Sequence, residues 1–315
     1  MKLADFSLNN KIKNSNVNFI AHAKYFLFAL VAVLISAVFV VSFVGFKADV
    51  DYAGGTTLTV VTSEDINNEE VFNNFKSKID ALAEKHNVEI SSYEKAETAF
   101  GKAIVAKILN KDALVNDAIV AELNEDLNYD SNDILEKNYV TANIFEETAS
   151  YQTKMASVAL SVVIVLAFVY LLFRYNLTSA LIYLITALCE IISVLAFTII
   201  CRITVSFPFC TAIIATFAIS TIFKLIFFGE LKQINKIDEY KTLSKHDKLI
   251  LADKKSFIVL ALICIIAVIA CVLIAGLGSL QMRAFAIPTL IGAIISALST
   301  FYAVPYLFEL INLKK

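Results

Sequence analysis

Six stretches of mostly apolar residues, each about long enough to cross a bilayer, constrain this chain more than anything else in it. They cover 25–46, 155–173, 177–201, 207–228, 256–277 and 285–311. A segment in lipid finds no water for its backbone N–H and C=O groups, so each stretch is expected to be a helix. The fold class expected is therefore a polytopic α-helical membrane protein with six transmembrane helices. At 58% hydrophobic residues and a mean hydropathy of +0.71, the chain as a whole excludes an ordinary soluble domain. The first stretch outruns a secretory h-region, and its exit Ser42-Phe43-Val44-Gly45-Phe46-Lys47 has no Ala-x-Ala-like cleavage site, so it reads as a retained helix and signal anchor.

Between the first and second stretches lies a polar region, 47–154. It opens on Asp51-Tyr52-Ala53-Gly54-Gly55-Thr56, where the glycine pair permits backbone angles that other residues avoid. The pattern beyond it predicts strands over 57–62, 88–94, 103–109 and 139–145. It predicts helices over 68–86, with Val71, Phe75, Ile79 and Leu82 on one face, and over 112–128, with Leu114, Ala118, Ile119 and Leu123 on one stripe. The order β-α-β-β-α-β suggests a ferredoxin-like α/β domain.

Charge sets the expected orientation. Lys2, Lys11, Lys13 and Lys24 precede the first stretch, seven lysines from Lys232 to Lys255 follow the fourth, and Lys314-Lys315 end the chain. The connections after the third and fifth stretches hold only Arg202 and Arg283. The positive-inside rule then makes both termini and the 229–255 loop cytoplasmic and the polar domain extracytoplasmic. Net charge is −2, so nothing points to nucleic acid. Cys189, Cys201, Cys210, Cys264 and Cys271 all lie in or beside apolar stretches and read as small core residues, not as disulfides or ligands. His22, His86 and His246 lack metal spacing, so no metal or other cofactor is expected.

The layout of one helix, an external α/β domain and five helices, with Asp51-Tyr52-Ala53-Gly54-Gly55-Thr56 after the first, resembles the SecF family, whose members carry D-F-T-G-G-T there. Arg283-Ala284-Phe285-Ala286 with Leu290-Ile291-Gly292 is similar to the family's L-R-D-F-A…L-I-G run, and Phe173-Arg174-Tyr175 to its R-F corner. The resemblance implies a subunit of the SecDF accessory complex, of the RND superfamily, in a bacterial plasma membrane. Its implied partners are SecD, the SecYEG–SecA translocon, unfolded preprotein and the lipid bilayer. It implies no covalent catalysis, and work driven by the proton-motive force through intramembrane carboxylates. Two other readings fit the sequence: an RND-type small-molecule or lipid exporter, and a non-conducting structural subunit.

The chain departs from that family where protons would move. The fourth helix of the family reads near N-D-T-I-V-V-F-D-R, but here Ser220 or Phe223 stands at the Asp, depending on register. Lys255 and Ser256 keep a cation and one hydroxyl of the family's R-T-x-x-T-S run; Ala284 replaces the Asp beside Arg283; V-G-P is absent around Ala142-Asn143-Ile144. Two charges remain in apolar stretches, Glu190 in the third and Lys224 in the fourth. A charge at that depth costs at least about 2.5 kcal/mol on insertion scales, so each needs a partner or a route to water. Lys224 is one turn from the helix end and could snorkel; Glu190 is too short to do so. Glu190 could also be a neutral acid hydrogen-bonded between helices. The proton-relay candidates are Glu190 with Ser220, Thr221 and Lys224, then Lys255 and Arg283.

Overall fold

The computed structural model describes residues 19–45, 49–50, 54–98, 101–110, 112–127, 139–145 and 149–313. Asp51, Tyr52 and Ala53 of the turn motif, and Lys2, Lys11, Lys13, Lys314 and Lys315, lie outside them. The described chain forms two compact units, one built mainly from 47–155 and the other from the remaining helices.

The smaller unit holds β1 (Gly55–Thr62), α2 (Glu69–Lys85), β2 (Ile90–Thr98), β3 (Gly101–Ile108), α3 (Ala113–Leu127) and β4 (Tyr139–Phe145). The helix before it is α1 (Phe19–Val44). The sheet order is β2-β3-β1-β4 with every neighbouring pair antiparallel. Leu58, Val60, Ile104 and Ile108 meet Phe75, Ile79 and Leu82 of α2 and Ile119 and Leu123 of α3 in one core. Asn68 starts α2 because its side chain accepts from the Glu70 N–H, and Glu69 and Glu70 suit the positive end of the helix. The α3 stripe differs from the expected one. Leu114 is 80% exposed, and the inward face runs through Asn116, Ile119 and Leu123. Asn116 turns inward because its Nδ2 donates to Thr56 Oγ1 at 2.5 Å.

That bond explains the described half of the turn motif. Gly54 has φ +69°, where a Cβ is strained. A Cβ on Gly55 would stand 3.3 Å from the Ile108 carbonyl carbon and collide with its oxygen. Thr56, fully buried, donates to the Asn110 carbonyl at 2.9 Å and so joins the start of β1 to the start of α3. Lys107 of β3 stands 3.1 Å from Asp49 Oδ2 and 3.3 Å from Glu94 Oε1.

The larger unit holds α1, α4 (Ala149–Arg174), α5 (Leu177–Ile200), α6 (Phe207–Lys236), α7 (Lys245–Leu277), α8 (Leu280–Leu298) and α9 (Val304–Leu313). Six helical spans among the described residues are long and apolar enough to cross a membrane. The segment expected as one span over 285–311 is one continuous helical span, Gln281–Ile311, with a π turn, Ser299–Ala303, between α8 and α9. Pro305 supplies a reason, since it has no N–H for the Phe301 carbonyl and its ring crowds that turn. The Lys-rich stretch 229–255, read from sequence as a solvated helix pair or linker, is mostly helical: α6 runs on to Lys236 and α7 begins at Lys245.

The spans are buried unequally. α1, α4 and α7 show most of their apolar surface outward, whereas α5, α6 and the α8–α9 span bury half or more of their most apolar stretch. Outward Phe28, Leu166 and Ile266 are what a lipid-facing surface requires. Of the cysteines expected as core residues, only Cys271 is buried; Cys210 and Cys264 are half-buried, and Cys189 on α5 and Cys201 at its C-cap are exposed.

Two outcomes are expected in the smaller unit. Gly55→Ala should destabilise it by about 1–3 kcal/mol, the usual range for overpacking, read as faster proteolysis of the sheet in the intact protein. The pKa of Lys107 is lowered by burial, but Asp49 and Glu94 outweigh this and hold it above its ordinary 10.5. A raised folded value means the contribution is complete below about pH 10.5 and is lost as pH climbs through the folded value. Between about pH 9 and about pH 11.5, the wild type should therefore lose more thermal stability than Lys107→Met. Equal losses would contradict this role for the ammonium.

Candidate functional site

Thirteen residues into α5, Glu190 is 2% exposed; Lys224 on α6 is fully buried. Lys224 Nζ stands 2.9 Å from Glu190 Oε1. The lysine therefore turns inward to the carboxylate and does not snorkel to the helix end. Removed from water, each charge would be costly alone, and each supplies what the other lacks.

Three helices supply the other contacts of the pair. Ser296 Oγ, on α8, donates to Glu190 Oε2 at 3.0 Å. Lys224 Nζ donates to Ser220 Oγ, one turn earlier on α6, at 2.5 Å. The ammonium also lies 5.5 Å from the centre of the Tyr183 ring, on the ring's electron-rich face. Thr221 Oγ1 gives its hydrogen to the Phe217 carbonyl at 2.8 Å, so the Tyr183 hydroxyl is the donor in their 2.9 Å contact. Of the residues singled out from sequence, Glu190, Ser220 and Lys224 thus meet directly, and Thr221 is joined to them through Tyr183.

Lys255 and Arg283 stand elsewhere. Lys255 Nζ is 4.9 Å over the Tyr240 ring. Arg283 is exposed near the start of α8, thirteen residues before Ser296, or about 20 Å along the helix axis. Neither belongs to the buried cluster.

Sequence reasoning missed Ser296, Tyr183 and Asp253. A readable signal existed for the first: Thr289, Ser296 and Thr300 recur on one face of an apolar stretch, and such hydroxyls sit between membrane helices. The same stripe appears as Thr186, Glu190 and Ser193 on α5 and as Thr216, Ser220 and Lys224 on α6, all buried. Most of these hydroxyls donate to the carbonyl one turn back, as Thr186 does to Ile182 and Ser193 to Cys189. Thr216 Oγ1 has no hydrogen-bond partner among the described residues. It packs against Gly292, where a Cβ would come within 2.8 Å of Thr216 Cβ, so only glycine lets α8 approach α6 there. Asp253, on α7, is a second buried carboxyl in the larger unit, and its Oδ1 likewise has no partner among the described residues. No group of three His, Cys, Asp or Glu among the described residues could hold a metal ion.

Six apolar spans, three of which meet at a buried ion pair, define a multi-pass membrane protein. Its fold is similar to that of SecDF. A crystal structure of SecDF in a super-membrane-facing form matches with a TM-score of 0.67 and 17% identity, over 96% of this chain and 39% of that one. A crystal structure of SecDF from Thermus thermophilus, described as a translocon-associated membrane protein, matches with a TM-score of 0.61 and 16% identity over the same shares. The chain therefore spans about 39% of the length of these structures. No protein-family model and no curated protein matches it.

Breaking the pair from one side should cost about 3–5 kcal/mol, because the other charge is left buried and alone. Glu190→Gln and Lys224→Met should each lower the unfolding temperature of the detergent-purified protein sharply. The double variant should be no less stable than the weaker single one. Additive losses would show that the two side chains do not depend on each other.

Proposed function

We propose that this chain is a SecF-like subunit of the accessory complex of protein export, and that Glu190 and Lys224 couple its work to the proton-motive force. The observation that carries this reading is the ion pair between α5 and α6, at the centre of the most buried helices of a SecDF-like fold. In this reading the smaller unit is a ferredoxin-like domain on the extracytoplasmic side, both termini are cytoplasmic, and the membrane is a bacterial plasma membrane. SecD, SecYEG–SecA and an unfolded preprotein are the partners. The chain carries out no covalent catalytic step.

The chemistry follows from charge balance. With Glu190 ionised and Lys224 protonated, the pair is neutral overall and holds α5 against α6. A proton added to Glu190 removes the counter-charge from the ammonium, which then needs water or another acceptor. The closed arrangement is favoured only while the carboxylate is ionised, so proton binding biases the bundle towards an arrangement that hydrates Lys224. Loss of the proton restores the attraction. Buried hydroxyls of Thr186, Ser193, Thr216, Ser220 and Ser296 line the interfaces on either side of the pair. In the family pattern the acid of the fourth helix does this work. Here Ser220 or Phe223 occupies that place, and the carboxylate is on the third helix.

Glu190→Gln should abolish proton uptake by proteoliposomes holding the chain with its partners, and should remove the uncoupler-sensitive part of preprotein export. Unchanged export with unchanged uncoupler sensitivity would defeat the coupling and leave a structural subunit. Failure to co-purify with SecD and SecYEG, combined with efflux of a small amphiphile, would favour an RND-type exporter instead.

A further inference from the structure

A cavity of about 290 Å³ opens where the end of α6, the start of α7 and α9 come together. Its floor is apolar: Leu231, Leu249 and Phe308. Its rim carries Lys245, Lys248 and His246. The one acidic group on the wall, Glu309, is engaged 2.9 Å from His246 Nδ1. Asp247, between the lysines in sequence, accepts from Ser244 Oγ in the cap of α7. Neither Lys245 nor Lys248 has an ion-pair partner among the described residues. The first turn of α7 adds the positive end of its helix at the same place.

Position narrows the occupant. The apolar run of α6 ends at Phe228 and passes into Gly229-Glu230-Leu231-Lys232. That of α7 begins only after Lys254-Lys255. On α6 the cavity begins at Leu231, three residues beyond the apolar run, which puts that wall at the polar margin of the span and outside the acyl interior. An inorganic anion would have no use for an apolar floor, and a zwitterionic lipid would gain little from two unpaired lysines. The volume is near the lower end of small-molecule sites, enough for a headgroup phosphate with its glycerol.

We propose that this cavity is a site for an acidic phospholipid, with the phosphate between Lys245 and Lys248 and the glycerol and first acyl carbons on Leu231, Leu249 and Phe308. Basic pockets between membrane helices recognise headgroups in this way. The inference is independent of the export reading, since it uses neither Glu190 nor Lys224.

The test is native mass spectrometry of the detergent-purified full chain, titrated with phosphatidylglycerol, phosphatidylcholine or inorganic phosphate. The wild type should retain phosphatidylglycerol over phosphatidylcholine. Lys245→Gln/Lys248→Gln should weaken phosphatidylglycerol binding by roughly thirty-fold, at about five-fold for each lysine near the surface. Lys245→Arg/Lys248→Arg should restore it, and Lys236→Gln/Lys241→Gln, which removes the same charge outside the cavity, should leave it unchanged. Undiminished phosphatidylglycerol binding by the first variant would overturn the proposal. So would equal loss in the control pair, or displacement of the lipid by millimolar inorganic phosphate, which would make the site one for a soluble anion.

Discussion

A charge cannot stay in the apolar interior of a helical bundle without its opposite. The contact between Glu190 and Lys224 is where this chain meets that rule, and much of the bundle is arranged around it. α5 and α6 supply the charges, and α8 closes the third side with Ser296. α8 can come close because Gly292 leaves room for Thr216. The helices that do not serve the pair, α1, α4 and α7, are the ones that turn most of their surface outward. Burial in this bundle thus follows the polar cluster as much as the apolar one.

The spans were legible because a length of apolar sequence and the need to satisfy backbone groups in lipid leave one solution. The order of the small sheet unit was legible because β-branched runs and helical periodicity alternate without ambiguity. Face and boundary were less so. Leu114 fits a helical stripe by spacing, yet Asn116 takes the inward place, since a hydrogen bond to Thr56 outweighs what apolar count alone predicts. Helices α6 and α7 continue past their apolar residues because Lys, Glu and Gln are nearly as good helix formers as Leu.

The candidate site shows the same division. Glu190 and Lys224 stood out because charged residues are rare in such stretches. Whether they meet was not readable, because it depends on the rotation of two helices about their axes. A lysine near a helix end can reach outward or inward, and only the position of the carboxylate decides between them. Ser296 and Tyr183 were harder still: hydroxyls are common in membrane helices and most satisfy themselves on the preceding turn, as Thr186 and Ser193 do. By contrast, the glycine–threonine turn before the sheet was legible from its glycine pair, and the structure adds a positive φ, a close backbone approach and a buried hydroxyl.

The π turn at Ser299–Ala303 sets the phase of everything after it. One residue more per turn rotates the following helix by about 100° relative to an unbroken one. Upstream, Ser296 points at Glu190; downstream, Glu309 points at His246 and Phe308 at the floor of the basic cavity. With regular winding throughout, both alignments could not hold at once. The widened turn acts as a clutch between two angular settings, and a chain shortened by one residue there would keep its hydrophobicity yet present the wrong side of α9 to α7.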